Sequence, residues 1–428
     1  MLLVYVDQIN ERVKYTFNFV FKERGIVYFL TNDFVKFQQF EGEKFNYSDH
    51  YFEDALQIKP VSLLFQENIE NYGISKNLFF KEDCLCFNQL IDPFASIFYI
   101  LARMEEYTTI KTDKFGRFEG KNSVLYRFSW NEKVICDRWA MDIIDFLNAN
   151  GVLIQLTEEI TYSIKPTFDI DNTFAYKNKG LYRTTMATIK DFILGRSRRI
   201  VERNRVQLGS MKDPYDTFET IESLADKGFK INVFWLLGDF AKYDRNITYR
   251  HPKQRKVIQK LSKKVTIGIH PSFKSNSYEF YLHNEIERLE EIINNRVYCS
   301  RQHFLFLKLP TTYKTLIGQE IKHDFTMGFA DIAGFRIGTA RSIKWFDLTK
   351  NTITDLTIHP FAFMDGTLNE YLKLTPESAK LKITELFHEV KNYGGDFSFI
   401  WHNETIGDYG NWKGWKSVFE WSVDLGEK

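Results

Sequence analysis

The sequence contains little cysteine and proline, with 4 cysteines and 9 prolines among 428 residues. Cys84 and Cys86 are too close to bridge each other, and the paired Cys-x-x-Cys spacing typical of a zinc site does not occur. All four cysteines, with Cys136 and Cys299, are therefore interpreted as reduced structural thiols, which fits a cytoplasmic protein. The few prolines leave no proline-rich linker.

Long apolar runs are also missing. Stretches such as VFWLLG at 233–238 fall far short of the roughly 20 residues that span a bilayer. The opening stretch MLLVYVDQINERVKY lacks a basic leader, an apolar run of signal length and a cleavage site. These absences predict a cytoplasmic protein without stable membrane insertion.

Charge of one sign does not dominate, since 57 Lys and Arg residues face 56 Asp and Glu residues and the net charge is +1. This balance gives no general drive toward polyanions, so we expect no nucleic-acid partner. The basic stretch GRSRRIVERNR at 195–205 is interpreted as a solvated loop or helix, with contact to an anionic head group or phosphate as the alternative. Neither a P-loop nor a G-x-G-x-x-G turn before a helix occurs, so nucleotide binding by those routes is not supported.

Aromatic residues are abundant, with 40 Phe and 22 Tyr in a chain that is 44% hydrophobic. This is a globular composition and rules out a largely disordered chain. Aromatic rings fill cores and also stack on ring-shaped ligands, and both uses are open for Trp401, Trp412 and Trp415. At about 150 residues per domain, the length predicts two or three domains.

The pattern of the chain changes near residue 160. Before this point, segments 2–6 and 25–33 have the composition of strands. Segment 92–107 has helical spacing of apolar residues, with Asp92 as its predicted N-cap. This mixture predicts a smaller α+β domain over residues 1–160.

After residue 160, strand and helix patterns alternate to the end of the chain. The strand-like segments are 163–170, 229–237, 264–270, 297–304, 357–363 and 397–403. Such alternation predicts parallel strands, either in a barrel or in an open doubly wound sheet. The length of 161–428 is close to that of a typical (β/α) barrel, so an α/β barrel domain is predicted there.

Reactive side chains lie where several of the predicted strands end. In β/α barrels the carboxyl ends of the strands converge on one face, where the active site is built. We therefore expect these side chains to meet in one cleft. They are Asp169 and Asp171 at the end of the first strand, His270 at the end of the third, Arg301 and His303 at the end of the fourth, and His402 at the end of the last.

One residue separates Asp169 from Asp171, so in a strand both carboxylates point to the same face. Such a pair suits a base plus a metal ligand or two metal ligands, and the alternative is a strand-end turn or a helix cap. A buried Arg301 needs a carboxylate partner, for which Asp169 is the candidate.

The histidines leave alternatives of their own open. His270 follows an apolar strand and is a candidate metal ligand, or else a buried histidine with its own hydrogen bonds. His402 follows Trp401 directly. A histidine that titrates near neutrality is a good general acid, whereas a histidine at the edge of the core is the alternative.

Four segments, TFDID, IGIHPSF, RQHF and FIWHNE, occur in an order that resembles the motifs of polysaccharide deacetylases, the NodB-homology group of carbohydrate esterase family four. The resemblance covers 161–425 and implies an irregular (β/α) barrel of about seven strands. DPFASIFYILARMEEY with the following DKFGRF is similar to an extra N-terminal domain of unknown function in a bacterial subgroup. GFADIAGFRIGT and MDGTL are similar to features of that subgroup's catalytic half.

The resemblance implies a role for each matching residue. Asp169 would be the general base, and Arg301 would hold its carboxylate ionised and oriented. Asp171 and His270 would be metal ligands. His402 would protonate the departing amine.

The resemblance also implies contacts with the substrate, through the backbone N–H of Phe304 at the oxyanion and through Trp401. The family usually has a second metal-binding histidine four residues after the first, where this sequence has Lys274. We hypothesise that His303 supplies the third ligand instead. The expected cofactor is a divalent metal ion, with zinc as the first candidate.

The implied function is metal-dependent removal of N-acetyl groups from an amino sugar in a glycan or glycan precursor. A cytoplasmic location fits a nucleotide- or lipid-linked intermediate better than a finished extracellular polymer. Two alternatives stay open. One is a deacetylase-like protein that has lost its metal and binds glycan or scaffolds a biosynthetic complex, and the other is a different amide or ester hydrolase on the same fold.

Overall fold

A small parallel sheet begins the chain. The computed structural model describes residues 1–108, 111–157, 159–276 and 278–427. The first strands are β1 (Leu2–Val6), β2 (Tyr28–Thr31), β3 (Glu43–Tyr47) and β4 (Leu56–Gln57), with helices α1 (Glu11–Val20) and α2 (Phe34–Gln38) in the connections. They lie in the order β2-β1-β3-β4, and all of these pairings are parallel.

An antiparallel sheet and further helices complete the N-terminal region, residues 1–161. The strands are β5 (Ile74–Leu78), β6 (Asp83–Phe87) and β7 (Leu90–Ile91), paired in that order. The helices are α3 (Pro93–Leu101), α4 (Met104–Thr108), α5 (Val124–Arg127) and α6 (Ile135–Ala149). This region thus mixes helices with parallel and antiparallel strands.

The helix predicted over 92–107 is divided into α3 and α4. Asp92 caps α3 as predicted, because its carboxylate accepts a hydrogen bond from an N–H of the first turn. Arg103 interrupts the helix with a φ of 53°. In this conformation its guanidinium bonds the carboxylates of Glu105 and Glu106 and also the backbone carbonyl of Arg336, a contact distant in sequence that apolar spacing does not reveal.

One nine-stranded sheet organises the C-terminal region, residues 162–427. Its strands are β8 (Tyr162–Ile170), β9 (Asn232–Trp235), β10 (Thr266–Ile269), β11 (Cys299–Ser300), β12 (His323–Asp324), β13 (Ile343–Asp347), β14 (Thr352–Ile358), β15 (Phe363–Met364) and β16 (Gly395–His402). They pair in the order β13-β14-β12-β11-β10-β9-β8-β16-β15, and only β13 with β14 is antiparallel among these described strands. A mixed α/β architecture with a large, mainly parallel sheet is thus confirmed.

Helices connect most of these strands, as the alternating pattern predicted. They are α7 (Leu181–Ile193), α8 (Ser197–Gln207), α9 (Phe218–Asp226), α10 (Pro252–Leu261), α11 (Glu279–Ile293), α12 (Thr311–Gly318), α13 (Pro376–Tyr393) and α14 (Lys416–Asp424). A short π-helical turn covers Thr367–Tyr371. The basic stretch 195–205 lies largely in α8, so of the two forms expected for it the helix is observed.

Closure of the sheet into the predicted barrel is not shown, because β13 and β15 stand at the two ends of the pairing order. The strand predicted over 357–363 is divided between β14 and β15. The segment 328–340 is mostly irregular and contacts the chain just before β15, where the Gly334 N–H donates to the Ala362 carbonyl at 2.7 Å. At this end of the sheet, the chain before β15 therefore contacts irregular backbone and not a further strand.

A buried ion network joins the two regions. Glu106 of α4 accepts hydrogen bonds from Arg103 Nε at 2.7 Å and from Arg336 Nη2 at 2.6 Å. Arg103 also donates to the backbone carbonyl of Arg336 at 2.7 Å. Buried charges are tolerated when they are paired, so the N-terminal region holds the irregular segment 328–340 in place.

One continuous apolar core extends through both regions. All four cysteines are buried and free, in agreement with the interpretation as structural thiols. Within the described residues, no helix combines the length and the apolar character needed to cross a membrane.

Candidate metal centre and catalytic cleft

The carboxyl ends of neighbouring strands bring the predicted site residues together. The pairing register places Asp169 of β8 opposite His402 of β16. Strands β10 and β11 also pair in parallel, so the residues that follow them, His270 and Arg301, leave the sheet at the same level. These strand ends open into a cleft of about 190 Å³. Its lining includes Asp169, Asp171, His270, His303, Phe304 and His402.

Asp171, His270 and His303 form a compact cluster in this cleft. The Nε2 atom of His270 lies 3.2 Å from Asp171 Oδ1, and the Nε2 atom of His303 lies 3.3 Å from Asp171 Oδ2. One ligand atom from each residue lies within 4.8 Å of the others. The cluster therefore brings together the three side chains that the sequence assigned to a metal.

Second groups fix the orientation of both imidazoles. The Nδ1 atom of His270 lies 2.6 Å from the carbonyl oxygen of Arg301, and that of His303 lies 2.9 Å from Asp244 Oδ1. Carbonyl and carboxylate oxygens accept hydrogen bonds, so Nδ1 carries a proton in each ring. Both Nε2 atoms then face Asp171, and metal-binding histidines are typically held in this way.

The chemistry of the cluster fits a divalent cation. Zinc binds combinations of carboxylate and imidazole ligands and keeps further positions for water or substrate. Asp171 Oδ1 is buried and receives no hydrogen bond from a described residue, as expected of an atom that serves as a ligand. Burial favours a higher pKa for Asp171, but His303 and His270 outweigh it and hold this pKa well below the usual range.

A proton competes with a cation at His303. Burial lowers the pKa of this histidine, but Asp171 and Asp244 more than compensate and raise the pKa to about 9. Metal ligands must be deprotonated at the coordinating atom. Metal binding at the cluster is accordingly expected to weaken as the pH falls.

Lys274 lies outside the cluster. Its side chain is exposed, and its Nζ atom lies 4.2 Å from the centre of the Tyr281 ring. The residue does not line the cleft, so it places no cation beside Asp171. His303, from the turn after β11, lies where a third ligand is needed.

Asp169 is held by a fully buried arginine. Arg301 donates from Nη1 to Asp169 Oδ1 at 2.8 Å and from Nη2 to Thr167 Oγ1 at 2.8 Å. A third hydrogen bond, from its Nε atom to the Phe325 carbonyl, measures 3.0 Å. The second carboxylate oxygen of Asp169 lies 3.8 Å from His270 Nε2, so it faces the cluster.

A phenylalanine ring supports the guanidinium of Arg301. The Cζ atom of Arg301 lies 4.4 Å from the centre of the Phe234 ring. That ring lies against Gly268 of β10, where an added Cβ would come within 2.7 Å of the ring and 2.8 Å of the Cys299 carbonyl oxygen. The absence of a side chain at Gly268 therefore leaves room for the Phe234 ring that packs against Arg301.

A buried carboxylate orients His402. The Nδ1 atom of His402 lies 2.9 Å from Asp365 Oδ1, and its backbone N–H donates to Asp365 Oδ2 at 2.8 Å. Burial lowers the pKa of His402, but Asp365 outweighs this and holds the pKa well above the usual range. Asp365 therefore favours the protonated form of the imidazole, and the side chain of His402 lines the cleft.

Phe304 has a φ of 60° and a ψ of 10°, a left-handed conformation that is costly for a bulky residue. Its carbonyl accepts a hydrogen bond from Arg117 Nη1 at 2.8 Å. Arg117 also donates to Asp113 Oδ2 at 2.8 Å and to the Tyr371 hydroxyl at 2.9 Å. Because Arg117 belongs to the N-terminal region and lines the cleft, both regions contribute to the site.

Trp401 does not line the cleft, contrary to the sequence-based assignment. Successive side chains of a strand point to opposite faces, so a cleft-facing His402 places Trp401 on the other face of β16. Its indole is 0% exposed and packs against Phe419 with ring centres 5.4 Å apart. Burial thus corrects the assignment of Trp401 to substrate binding, and Trp412 lines the cleft instead.

Sequence reasoning missed four residues of the site. Asp365 lies in MDGTL and Arg117 in DKFGRF, which carried a resemblance but no assigned role. Asp244 lies in a loop without a motif. The sequence gives one indirect signal for such a residue, because a buried histidine needs a hydrogen-bond acceptor for its second ring nitrogen. Glu404 also lines the cleft, and burial together with Asp171 raises its pKa to about 7.

Comparison with known proteins gives a family match and distant structural matches. Residues 2–151 match the model of a family of unknown function, DUF7033. No curated protein sequence is significantly similar to this chain.

Two crystal structures resemble part of the fold. One is of a protein assigned as a polysaccharide deacetylase from Mycobacterium smegmatis, with a TM-score of 0.40 and 13% identity over 64% of this chain and 87% of that chain. The other is a polysaccharide deacetylase from Bacillus cereus, with a TM-score of 0.30 and 8% identity over 63% of this chain and 88% of that chain. These likenesses are too distant to carry a functional argument, so function rests on the residues of the cleft.

Proposed function

We propose that the protein is a metal-dependent hydrolase that removes N-acetyl groups from an amino sugar in a glycan or glycan precursor. The observation that carries the proposal is the ligand cluster of Asp171, His270 and His303, with two further groups in the same cleft. These are the arginine-held carboxylate of Asp169 and the carboxylate-held imidazole of His402. A cation site, a base and an acid are the parts that metal-assisted amide hydrolysis needs.

Each residue has a step in the proposed reaction. The chemistry that a bound divalent cation supplies, with zinc as the proposed ion, is polarisation of the acetyl carbonyl and a lowered pKa for an adjacent water. Asp169, kept in place by Arg301, accepts a proton as the water oxygen bonds to the carbonyl carbon. His402 then donates a proton to the sugar nitrogen as the carbon–nitrogen bond breaks, which leaves acetate and a free amine.

Other residues of the cleft would position the substrate. The backbone N–H of Phe304 is proposed to stabilise the oxyanion, and Arg117 holds that residue by its carbonyl. Trp412 takes the place of Trp401 as the proposed aromatic contact with a sugar ring. Asp365 keeps His402 oriented and charged for proton donation.

The alternative of a metal-free glycan-binding protein depended on Lys274. That lysine lies outside the cluster, so no observation on it favours loss of the metal. Hydrolysis of another amide or of an ester would use the same groups, and a substrate panel separates these possibilities.

The test is acetate release by the full-length protein from N-acetylated amino-sugar oligomers and precursors. O-acetylated sugars in the same panel separate amide from ester hydrolysis. Dialysis against a chelator is expected to abolish acetate release, and added Zn²⁺ is expected to restore it. The proposal fails if protein that carries one equivalent of metal releases no acetate from any N-acetylated substrate.

A further inference from the structure

A second, larger cavity lies beside the cleft. It has a volume of about 640 Å³ and is bounded by α7, α8 and the loop after β9. Eight Lys and Arg side chains line it, against Asp191 as the one acidic side chain in the lining. Representative members of the cationic set are Lys179, Arg183, Arg199 and Lys242.

The single carboxylate cannot neutralise these cations. Asp191 is shared by three arginines, with Arg203 Nη2 at 2.5 Å, Arg199 Nη1 at 3.8 Å and Arg196 Nη1 at 3.9 Å. Burial, followed by the neighbouring Arg183, lowers the pKa of Lys179 to about 8, although Asp213 and Glu404 act in the opposite direction. A concave site with this balance attracts a multiply charged anion.

A third cavity, of about 290 Å³, adjoins both the basic cavity and the catalytic cleft. It shares Arg199, Tyr215 and Tyr409 with the basic cavity. It shares Glu404 and Trp412 with the cleft. The shared lining places the cationic site next to the cleft, which is the arrangement that a ligand occupying both would need.

We infer that the basic cavity binds a phosphate or diphosphate group attached to the amino sugar whose acetamide enters the cleft. This inference rests on the proposed function and names its substrate class, a phosphorylated amino-sugar precursor rather than a neutral polymer. Arginine forks match phosphate oxygens in pairs, and the excess of cations suits a doubly charged group.

Helix α7 bears on the source of the phosphate. Tyr182, Met186, Ile189 and Ile193 follow one another at helical spacing on its outer face, and Tyr182 and Ile193 are 78% and 74% exposed. The opposite side of the helix carries Asp191 into the basic cavity. A lipid diphosphate and a nucleoside diphosphate share the recognised group, and the apolar face would meet the chain of a lipid.

The first experiment measures binding of inorganic pyrophosphate by calorimetry to full-length protein dialysed against a chelator, so that a bound metal does not contribute. The Arg199→Gln variant is expected to bind about tenfold more weakly than the unaltered protein, the loss expected for one charge-assisted contact. Arg205→Gln is the matched control, because Arg205 is on the same helix, is exposed and does not line the cavity. This control is expected to bind within twofold of the unaltered protein.

A second variant guards against loss of folding. Lys242→Gln changes an exposed cation on a different element of the cavity wall and is expected to weaken binding in the same direction. Absence of pyrophosphate binding at millimolar concentration would overturn the inference. So would equal weakening by Arg199→Gln and Arg205→Gln.

The second experiment compares acetate release from three substrates: a nucleoside-diphosphate N-acetylglucosamine, a polyprenyl-diphosphate N-acetylglucosamine in detergent, and a neutral N-acetylglucosamine oligomer. Arg199→Gln is expected to raise KM about tenfold for a diphosphate substrate and to leave KM for the oligomer unchanged. Preference for the first or the second substrate identifies the source of the phosphate.

Preference for the oligomer, with no effect of Arg199→Gln, contradicts the inference. If no substrate releases acetate while pyrophosphate binding depends on Arg199, the phosphate site stands and the proposed function fails.

Discussion

The cleft and the basic cavity lie side by side but differ in how their charged groups are paired. Each histidine considered in the cleft has a partner, whereas most cations of the basic cavity have no carboxylate in the lining. In the cleft, His270 and His303 each have a second group at Nδ1, and Asp365 holds His402. In the basic cavity, the lining has eight cations and one carboxylate, Asp191. Groups that are oriented before substrate arrives suit bond-breaking chemistry, whereas unbalanced charge suits capture of an anion. The difference fits the proposed division of labour, with reaction in the cleft and recognition of an anion in the basic cavity.

The largest expected effect comes from breaking the ligand cluster itself. Replacement of His303 by Ala removes one Nε2 ligand, so zinc content after dialysis is expected to fall well below that of the unaltered protein. Acetate release is expected to fall by about a thousandfold or more, because the cation supplies several kcal/mol of stabilisation. Lys274→Ala is the control and is expected to keep both properties. Equal zinc stoichiometry in His303→Ala would remove His303 from the ligand set.

Replacement of the proposed base, Asp169, is expected to leave metal binding unchanged and to lower the rate of hydrolysis. Asp169→Asn keeps the size of the side chain but not its ability to accept a proton. The expected fall in kcat is about a hundred- to a thousandfold, in the range of general base catalysis, with zinc content unchanged. Retained turnover in this variant would assign the base to another group, with Glu404 as the next candidate in the cleft.

The pH profile tests the acid side of the cleft. His402 must be protonated to donate, so activity is expected to fall as the pH rises through its pKa, which Asp365 holds well above the usual range. Asp365→Asn removes that stabilisation and is expected to move the alkaline limb of kcat to lower pH, by one unit or more. At a pH above both limbs, each unit of this shift is expected to lower kcat about tenfold relative to the unaltered protein, with a smaller loss at pH 6. An unchanged alkaline limb would show that His402 is not the acid.

Arg117 tests whether the N-terminal region belongs to the reacting site. Arg117→Gln removes the charged hydrogen bond to the Phe304 carbonyl, which measures 2.8 Å. We expect kcat/KM to fall about tenfold, with zinc content unchanged. Lys114→Gln, a nearby exposed change of the same charge, is the control and should behave as the unaltered protein. No difference between the two variants would limit the N-terminal region to a supporting role.

The smallest expected effect on turnover concerns Asp244. Asp244→Asn weakens the group that orients His303 but leaves all three ligands in place. Metal affinity is expected to fall about 10- to 100-fold, as is usual for such outer partners, while kcat at saturating Zn²⁺ changes little. Titration of the metal-free protein with Zn²⁺ measures this, and an unchanged affinity would show that Asp244 does not hold the ligand.

Pattern reading located the ends of the strands more reliably than their full lengths. Asp169, Asp171, His270 and His402 all lie at or directly after the ends of strands that the alternation of apolar segments predicted. Strand β11 is shorter than predicted, because the chain turns at His303 with a left-handed Phe304. Barrel closure was not predictable either, since it depends on how the first and last strands pair.

The order of apolar and polar residues along the chain was enough to predict the alternating α/β architecture and the reactive residues at the strand ends. Both predictions depend only on the periodicity of neighbouring residues. Three features were decided only in three dimensions: the outward position of Lys274, the burial of Trp401 and the choice of Asp244 and Asp365 as partners of the histidines. Each depends on distances between segments far apart in the chain, and those distances are set by packing.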